Sequence, residues 1–286
     1  MFSTGRRARS LGAAAVLALT SSMLAAAPAV ASTPTGQLPV GKVFTSVGST
    51  VRLLSAGGAT VRTIVLPHHG GQPLVSPNGK WIAYQTATGL RMMAATGGHD
   101  RLLAPRAFAL PLAWSPDSHR LVFTAAHPMV TVVNVETGAL HPVLPGADTG
   151  VESAAYSPDG RYVLLTGLST WKLIRTDSWT PRAFVKAPAC YDEVQPSWSP
   201  DGHRIAFLCG KSDWTHVEML DLATGRLTAA MDPLAGSAAW SSNSVLVAAH
   251  YEGTGWVHSL NGFGHNGQLL WTVRVANRFL GVQVLH

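Results

Sequence analysis

The chain lacks the strings that most often mark catalytic or metal-binding centres. There is no Gly-x-Ser-x-Gly nucleophile elbow, no His-Glu-x-x-His, no paired Cys-x-x-Cys and no calcium-loop signature. Two cysteines in 286 residues exclude a disulfide-dense scaffold and a cysteine-built zinc ribbon. Charged residues are only 13% of the chain and form no basic run, so nothing in the charge pattern points to nucleic acid. No segment after Ala31 reaches the ~20 apolar residues that a membrane helix needs. Gly36-x4-Gly41-Lys42 has the outline of a phosphate-binding loop, but Val43 stands where Ser or Thr is required and no helical pattern follows, so a nucleotide site is not expected.

Residues 1–31 read as a signal peptide. Arg6-Arg7-Ala8-Arg9 supplies a charged start, Leu11 to Leu19 an apolar stretch, and Ala29-Val30-Ala31 a small-residue cleavage site, with cutting expected after Ala31. The paired arginines suit twin-arginine export, the absence of the Phe and Lys usual downstream suits ordinary export, and both routes stay open. No cysteine lies at the cleavage region to carry a lipid anchor. The three leader arginines account for half of the formal net charge of +6, so the mature protein is close to neutral. A secreted or periplasmic monomer with no membrane span is expected. Residues 32–42, rich in Pro, Gly and Thr, read as an exposed linker into a domain over 43–286.

What the chain does have is a repeat. Trp198-Ser-Pro-Asp-Gly202 is followed at once by an apolar run, and versions of it begin at Val75, Trp114, Tyr156 and, more decayed, Trp240. The last four starts are each 42 residues from the one before, except that Trp114 follows Val75 by 39. A fixed period in this range signals a solenoid or a propeller. Pro presets φ in the turn, Asp or Asn bonds back to nearby backbone, and Gly accepts a left-handed conformation, so each copy makes a tight hairpin. The runs that follow (Trp81 to Tyr84, Arg120 to Phe123, Tyr162 to Leu165, Ile205 to Leu208, Val245 to Ala248) are apolar on both faces instead of alternating cleanly, as sheets covered on both sides require. A third strand ends near Thr137-Gly138 and Thr224-Gly225, and a fourth follows. Four strands per repeat is a propeller blade.

Five repeats carry the marker turn. Val43 to Ser46, Thr50 to Ser55 and Val61 to Leu66 make three further strands with no marked strand ahead of them, while Phe279 to Leu285 is one strand left over at the other end. Joining the two completes a sixth blade and hides both edges. Taking Thr33 to Gly36 as a degenerate first turn is the competing arrangement, and it leaves Phe279 to Leu285 unpaired. The expected fold is therefore an all-β six-bladed propeller of four-stranded antiparallel blades, closed by its C-terminal strand. Trp114, Tyr156, Trp198 and Trp240 are expected in the core.

The repeated Trp/Tyr-Ser-Pro-Asp-Gly, the apolar strand after it and the later Thr-Gly resemble the WD40-like Pro-Asp repeat of TolB-type β-propellers, over Lys42 to His286. Ser118 in place of Gly, and the Trp240 copy without Pro or Asp, depart from that pattern. The resemblance implies a non-catalytic scaffold that docks partners in the cell envelope. That family carries an additional N-terminal domain with no counterpart here, so its particular partner is not carried over.

In a hairpin turning near Pro200-Asp201, Cys209 lies opposite about residue 192, close to Cys190. One disulfide, Cys190–Cys209, is expected of an exported protein, with a metal-bound or catalytic thiol as the alternative. Propeller topology puts outer-to-inner crossovers and second-to-third-strand loops on one mouth. His68, His69, Glu152, Asp192, Glu193, Trp214 and Tyr251 fall there, with His127, His216 and His250 nearby. Their plainest role is the polar lining of a channel mouth. Three functions fit: binding of a protein, peptide or envelope component at this mouth; a metal-assisted hydrolase, lactonase or lyase with a cation in the channel; or carbohydrate binding through Trp214 and Tyr251. The first needs no cofactor.

Overall fold

The computed structural model describes residues 37–38, 42–105, 110–125, 129–143, 151–167, 171–185, 195–211, 214–230, 235–252, 256–279 and 281–285. They form six four-stranded antiparallel sheets. Blade 2 runs outward from β4 (Gly71–Val75) through β5 (Trp81–Thr86) and β6 (Gly89–Ala94) to β7 (Arg101–Ala104). Blade 3 holds β8 (Leu110–Trp114), β9 (Arg120–Ala125), β10 (Met129–Asn134) and β11 (Leu140–Pro142). Blade 4 holds β12 (Ser153–Tyr156), β13 (Tyr162–Thr166), β14 (Trp171–Arg175) and β15 (Pro181–Val185). Blade 5 holds β16 (Ser197–Trp198), β17 (Arg204–Lys211), β18 (Trp214–Asp221) and β19 (Leu227–Ala230). Blade 6 holds β20 (Ala235–Trp240), β21 (Val245–Glu252), β22 (Trp256–Gly264) and β23 (Leu269–Phe279).

Blade 1 is built from both ends of the domain, as the leftover strand requires. β24 (Gly281–Val284) is its innermost strand, beside β1 (Val43–Val47), β2 (Thr50–Leu54) and β3 (Thr60–Val65). The β1–β24 register pairs Val43 with Val284 and Ser46 with Gly281.

Each marker turn is an internally bonded unit. In blade 5 the Ser199 Oγ donates to Asp201 Oδ1 (2.6 Å) and accepts from the Arg204 N–H (2.9 Å), while Asp201 Oδ1 also accepts from the His203 N–H (3.0 Å). The same set recurs at Ser115/Asp117 and Ser157/Asp159, and Asn78 replaces the acid in blade 2. Ser118 takes the left-handed position (φ 63°) that glycine fills in the sibling turns. The departure has a use: the buried Ser118 hydroxyl accepts the Asn78 N–H of the neighbouring blade at 3.1 Å.

The aromatic that precedes each turn binds its blade to the one before. Trp114 Nε1 donates to the Leu74 carbonyl at 2.9 Å, Trp198 Nε1 to Ala155 at 3.3 Å and Trp240 Nε1 to Ser197 at 3.1 Å. Trp114, Tyr156 and Trp240 are buried as expected, whereas Trp198 is half-buried. In blade 2 this position is Val75, which cannot donate from its side chain. Gln283 of β24 closes that seam instead, accepting the Val75 N–H at 2.8 Å and donating to the Pro73 carbonyl at 2.9 Å.

Tyr156 is the exception in this ladder. Its hydroxyl is the only buried side-chain polar atom among the described residues with no hydrogen-bond partner, and burial raises its pKa well above the ordinary tyrosine value. A buried hydroxyl without a partner costs about 1–3 kcal/mol. Tyr156→Phe keeps the ring and removes that cost, so its urea midpoint should equal or exceed the parent's.

Of the expected exposed linker over residues 32–42 the structure describes 37, 38 and 42; Gln37 and Lys42 are exposed, and Leu38 departs from the expectation. Leu38 is only 2% exposed, its N–H donates to the Ala56 carbonyl at 2.9 Å, and its side chain packs with Leu54 of blade 1, Val247, Leu260 and Val273 of blade 6, and Val282 of β24. A leucine among small polar residues gives no periodic signal, so only the packing reveals it as a plug between the first and last blades.

Candidate functional site

The crossover from blade 1 to blade 2, Leu66 to Gly70, is the part of the predicted mouth that the described residues show most fully. A single 3-10 turn over Pro67–His69 leads into β4, with His68, His69 and Gln72 at φ 57°, 51° and 50°. Gly70 makes the crossing possible, because a Cβ there would lie 2.2 Å from the Tyr84 ring. Consecutive non-glycine residues in the left-handed region are costly and persist only where surrounding contacts hold them.

Asp100 supplies that contact at His68. Its carboxylate accepts from Arg91 Nη2 at 2.6 Å and Nε at 3.1 Å, from the Tyr84 hydroxyl, and lies 3.0 Å from His68 Nε2. Burial alone would raise the Asp100 pKa, but the bonds from Arg91 and Tyr84 outweigh it and hold the carboxyl below its ordinary range. The Tyr84 hydroxyl is pushed up, first by burial and then by the adjacent carboxylate. His68 is thus anchored through Nε2 on the Asp100 carboxylate, while His69 is exposed. The sequence signal for Asp100 was its place after Gly97-Gly98, but nothing local says which crossover it would meet.

Glu152 is exposed at the entry to β12, its N–H bonded to the Thr166 carbonyl at 2.9 Å. Trp214 and Tyr251 are placed by their backbones alone, opposite Lys211 and Val257. Asp192, Glu193, His127 and Cys190 lie outside the described residues. Among the described residues, the contacts of His68 run to Asp100 and those of Glu152 to its own hairpin, so the two do not form one constellation.

A second cluster sits on the face of blade 5 turned toward blade 4. Cys209 pairs with His216 across β17 and β18, and His216 Nε2 lies 3.1 Å from Glu218 Oε1. Cys209 is fully buried, Glu218 is 6% exposed, and Trp171 of blade 4 meets Phe207 edge-on with ring centroids 5.0 Å apart. The sulfur, imidazole and carboxylate donors lie within 4.8 Å of one another, close enough for one cation. A sulfur held in the expected disulfide is no thiolate, however, and leaves only two donors, fewer than a closed site uses. The buried Glu218, missed in the sequence because it sits inside an apolar run, is the polar centre of this seam.

The opposite mouth carries the marker turns, and its chemistry is acid-sensitive. Burial tends to raise the pKa of Asp117, Asp159 and Asp201, but the Ser hydroxyls and the backbone N–H groups they accept hold all three below the ordinary carboxylate range. A folded-state pKa below the unfolded one contributes stability that is fully present above the unfolded value, about 4, and is lost as pH falls through the folded value. The urea midpoint should therefore be flat from neutrality to about pH 4 and fall below it. Asp201→Asn retains an acceptor, as Asn78 does, and should reduce the slope of that fall. An unchanged slope in Asp201→Asn and in the matching variants of Asp117 and Asp159 would exclude these turns as its source.

No family model matches the chain, and no curated protein matches it. Solved structures do. TolB from Acinetobacter baumannii superposes with a TM-score of 0.66 at 17% identity, over 85% of this chain and 65% of that one. A putative TolB from Agrobacterium tumefaciens gives 0.54 at 17% identity, over 68% and 79%. A chain of a nidogen/laminin complex gives 0.67 at 9% identity, over 86% and 98%. The chain thus spans just under two thirds of the length of the Acinetobacter TolB it matches. At these identities the likeness is one of fold, and the fold it shows is the six-bladed β-propeller shared with the TolB structures.

Proposed function

We propose that this protein is an exported, non-catalytic binding propeller that docks a protein, peptide or cell-envelope partner at the mouth formed by the interblade crossovers and the second-to-third-strand hairpins. The observation that carries the reading is the uneven rim. β17 and β21 each have eight residues where β5 and β9 have six. From the register, the extra residues lie at the crossover end, so the second strands of blades 5 and 6 run two residues, roughly 7 Å, further toward this mouth than those of blades 2 and 3. A one-sided wall suits a docked macromolecule better than a symmetric channel ion does. On this wall sit Lys211 and Trp214 of blade 5 and Tyr251 of blade 6. The fold neighbours agree in kind, one of them coming from a complex between two proteins.

In the described part of the rim, Asp100 gathers His68, Arg91 and Tyr84 onto one carboxylate and so fixes the crossover that leads into blade 2. The test is photo-crosslinking of the exported protein from position 152 on the proposed rim and from position 161 on the opposite mouth. Discrete adducts from 152, lost in Trp214→Ala/Tyr251→Ala and absent from 161, are expected. Equal adducts from both positions would show that this mouth is not the docking surface.

A further inference from the structure

Blade 4 breaks its own repeat at the hairpin between β14 and β15. In blade 3 the corresponding turn is Asn134 to Ala139, with the Asn134 N–H donating to the Ala139 carbonyl (2.9 Å) and Gly138 at φ 73°. In blade 5 it is Asp221 to Arg226, with the same bond (3.0 Å) and Gly225 at φ 68°. In blade 4 the bond runs from Arg175 to Thr180 at 3.0 Å, and the residue in the glycine position is Trp179, at φ 53°. A tryptophan in the left-handed region is a true outlier, where its siblings use the one residue that suffers no penalty. The turn itself does not ask for it.

What the substitution achieves is a placement. The indole stands over the seam between blades 3 and 4 beside His141 of β11, ring centroids 5.8 Å apart and planes tilted by 37°. Trp179 is half-buried, packed on one side against the cluster that includes Val132 and Val143, while His141 is exposed. Around it the turn presents exposed hydrogen-bonding groups. Arg175 binds the Asp177 carboxylate, and Ser178 Oγ lies 2.8 Å from Thr180 Oγ1. The two charges cancel, so the patch has polar reach without a net field to draw an ionic ligand. Thr176 is tied to the Gly160 carbonyl at 2.7 Å, which places the patch beside the marker turns and on the other mouth from the proposed docking rim.

We propose that Trp179 and His141 are the aromatic floor of a subsite for a neutral saccharide, with Asp177, Arg175, Ser178 and Thr180 as its hydroxyl-binding rim. A pyranose offers an apolar C–H face to an indole and a ring of hydroxyls to planar carboxylate and guanidinium groups. That combination matches an uncharged, amphipathic site on an aromatic platform. The strain of the turn is then retained for what the ring binds, in keeping with left-handed residues gathering at ligand sites.

The test is isothermal titration of the full-length mature protein with a panel of neutral hexasaccharides: β-1,4-glucan, chitin, mannan and α-1,4-glucan fragments. The parent should bind at least one of them. Trp179→Gly, which restores the residue used by the sibling blades, should lose binding at least about tenfold, as expected when a stacking platform goes. It should also keep the parent's melting temperature or exceed it. His141→Ala should weaken the same ligand, and Arg161→Ala, on a neighbouring turn, should not. The proposal is overturned if no saccharide of the panel binds, if Trp179→Gly binds as the parent does, or if proline-rich peptides bind at this patch in place of sugars. Should Trp179→Gly unfold, His141→Ala decides, and unchanged binding in that variant also overturns it.

Discussion

Removal of residues 281–286 should abolish cooperative unfolding. β24 is the smallest element of blade 1, yet it supplies the strand on which β1 pairs, buries Val282 and Val284, donates the Val282 N–H to Ser237 Oγ of blade 6 at 3.0 Å and carries Gln283 into blade 2. Two buried valines contribute about 1.5–3 kcal/mol each. To this are added the ladder bonds and the exposure of a β1 edge that is now hidden. Against a typical total of about 5–15 kcal/mol, that loss removes most of the folded population. Gln283→Ala gives the graded version. It leaves the Val75 N–H and the Pro73 carbonyl without partners in one seam, for about 1–3 kcal/mol. Urea unfolding followed by far-ultraviolet circular dichroism reads both, and a truncated chain with the parent's midpoint would show that the ring does not depend on its tail.

Trp240→Ala should be the most damaging single side-chain replacement in the ladder, at about 3–5 kcal/mol, the range for emptying a fully buried tryptophan site. Trp240 is 0% exposed, packs among Ala206, Leu208, Val217, Met219 and Phe263, and holds its indole bond to the carbonyl of Ser197. Trp240→Phe separates the two contributions, since it keeps most of the ring volume and loses the bond. Trp198 provides the comparison within the same protein. It is half-buried and its indole bond is longer, 3.3 Å, so Trp198→Ala should cost clearly less. If both alanine variants shift the midpoint equally, burial is not what sets the scale.

Much of the fold could be read from the residues, because a propeller repeats its own instructions. The Ser-Pro-Asp-Gly turns are local devices whose bonds close between Ser199 and Arg204 or their equivalents, so each copy announces itself without knowledge of its neighbours. Ring closure was legible for a different reason: Phe279 to Leu285 read as a strand left over after blade 6 and blade 1 lacked one strand, although the structure keeps Phe279 in β23 opposite Val257 and begins the closing strand at Gly281. The contacts between blades were not legible. Ser118 looks like a decayed glycine until its hydroxyl is seen on the Asn78 N–H, and Gln283 looks like any polar strand residue until it spans to Val75. The candidate site was legible only as a list of loop residues. His68 could be assigned to the crossover, but its partner Asp100 is 32 positions away, on another hairpin, and no period links the two. Trp179 does not stand out in the sequence, because its oddity appears only when the three hairpins are laid over one another.

Leu38 sets a limit on how the protein can be trimmed. A maturation cut after Ala31 would keep this side chain in place, with a short polar tether ahead of it. A protease that cut after Leu38 itself would free the wedge between the first and last blades and open Leu54 and Leu260, which share its cluster, to solvent at the join.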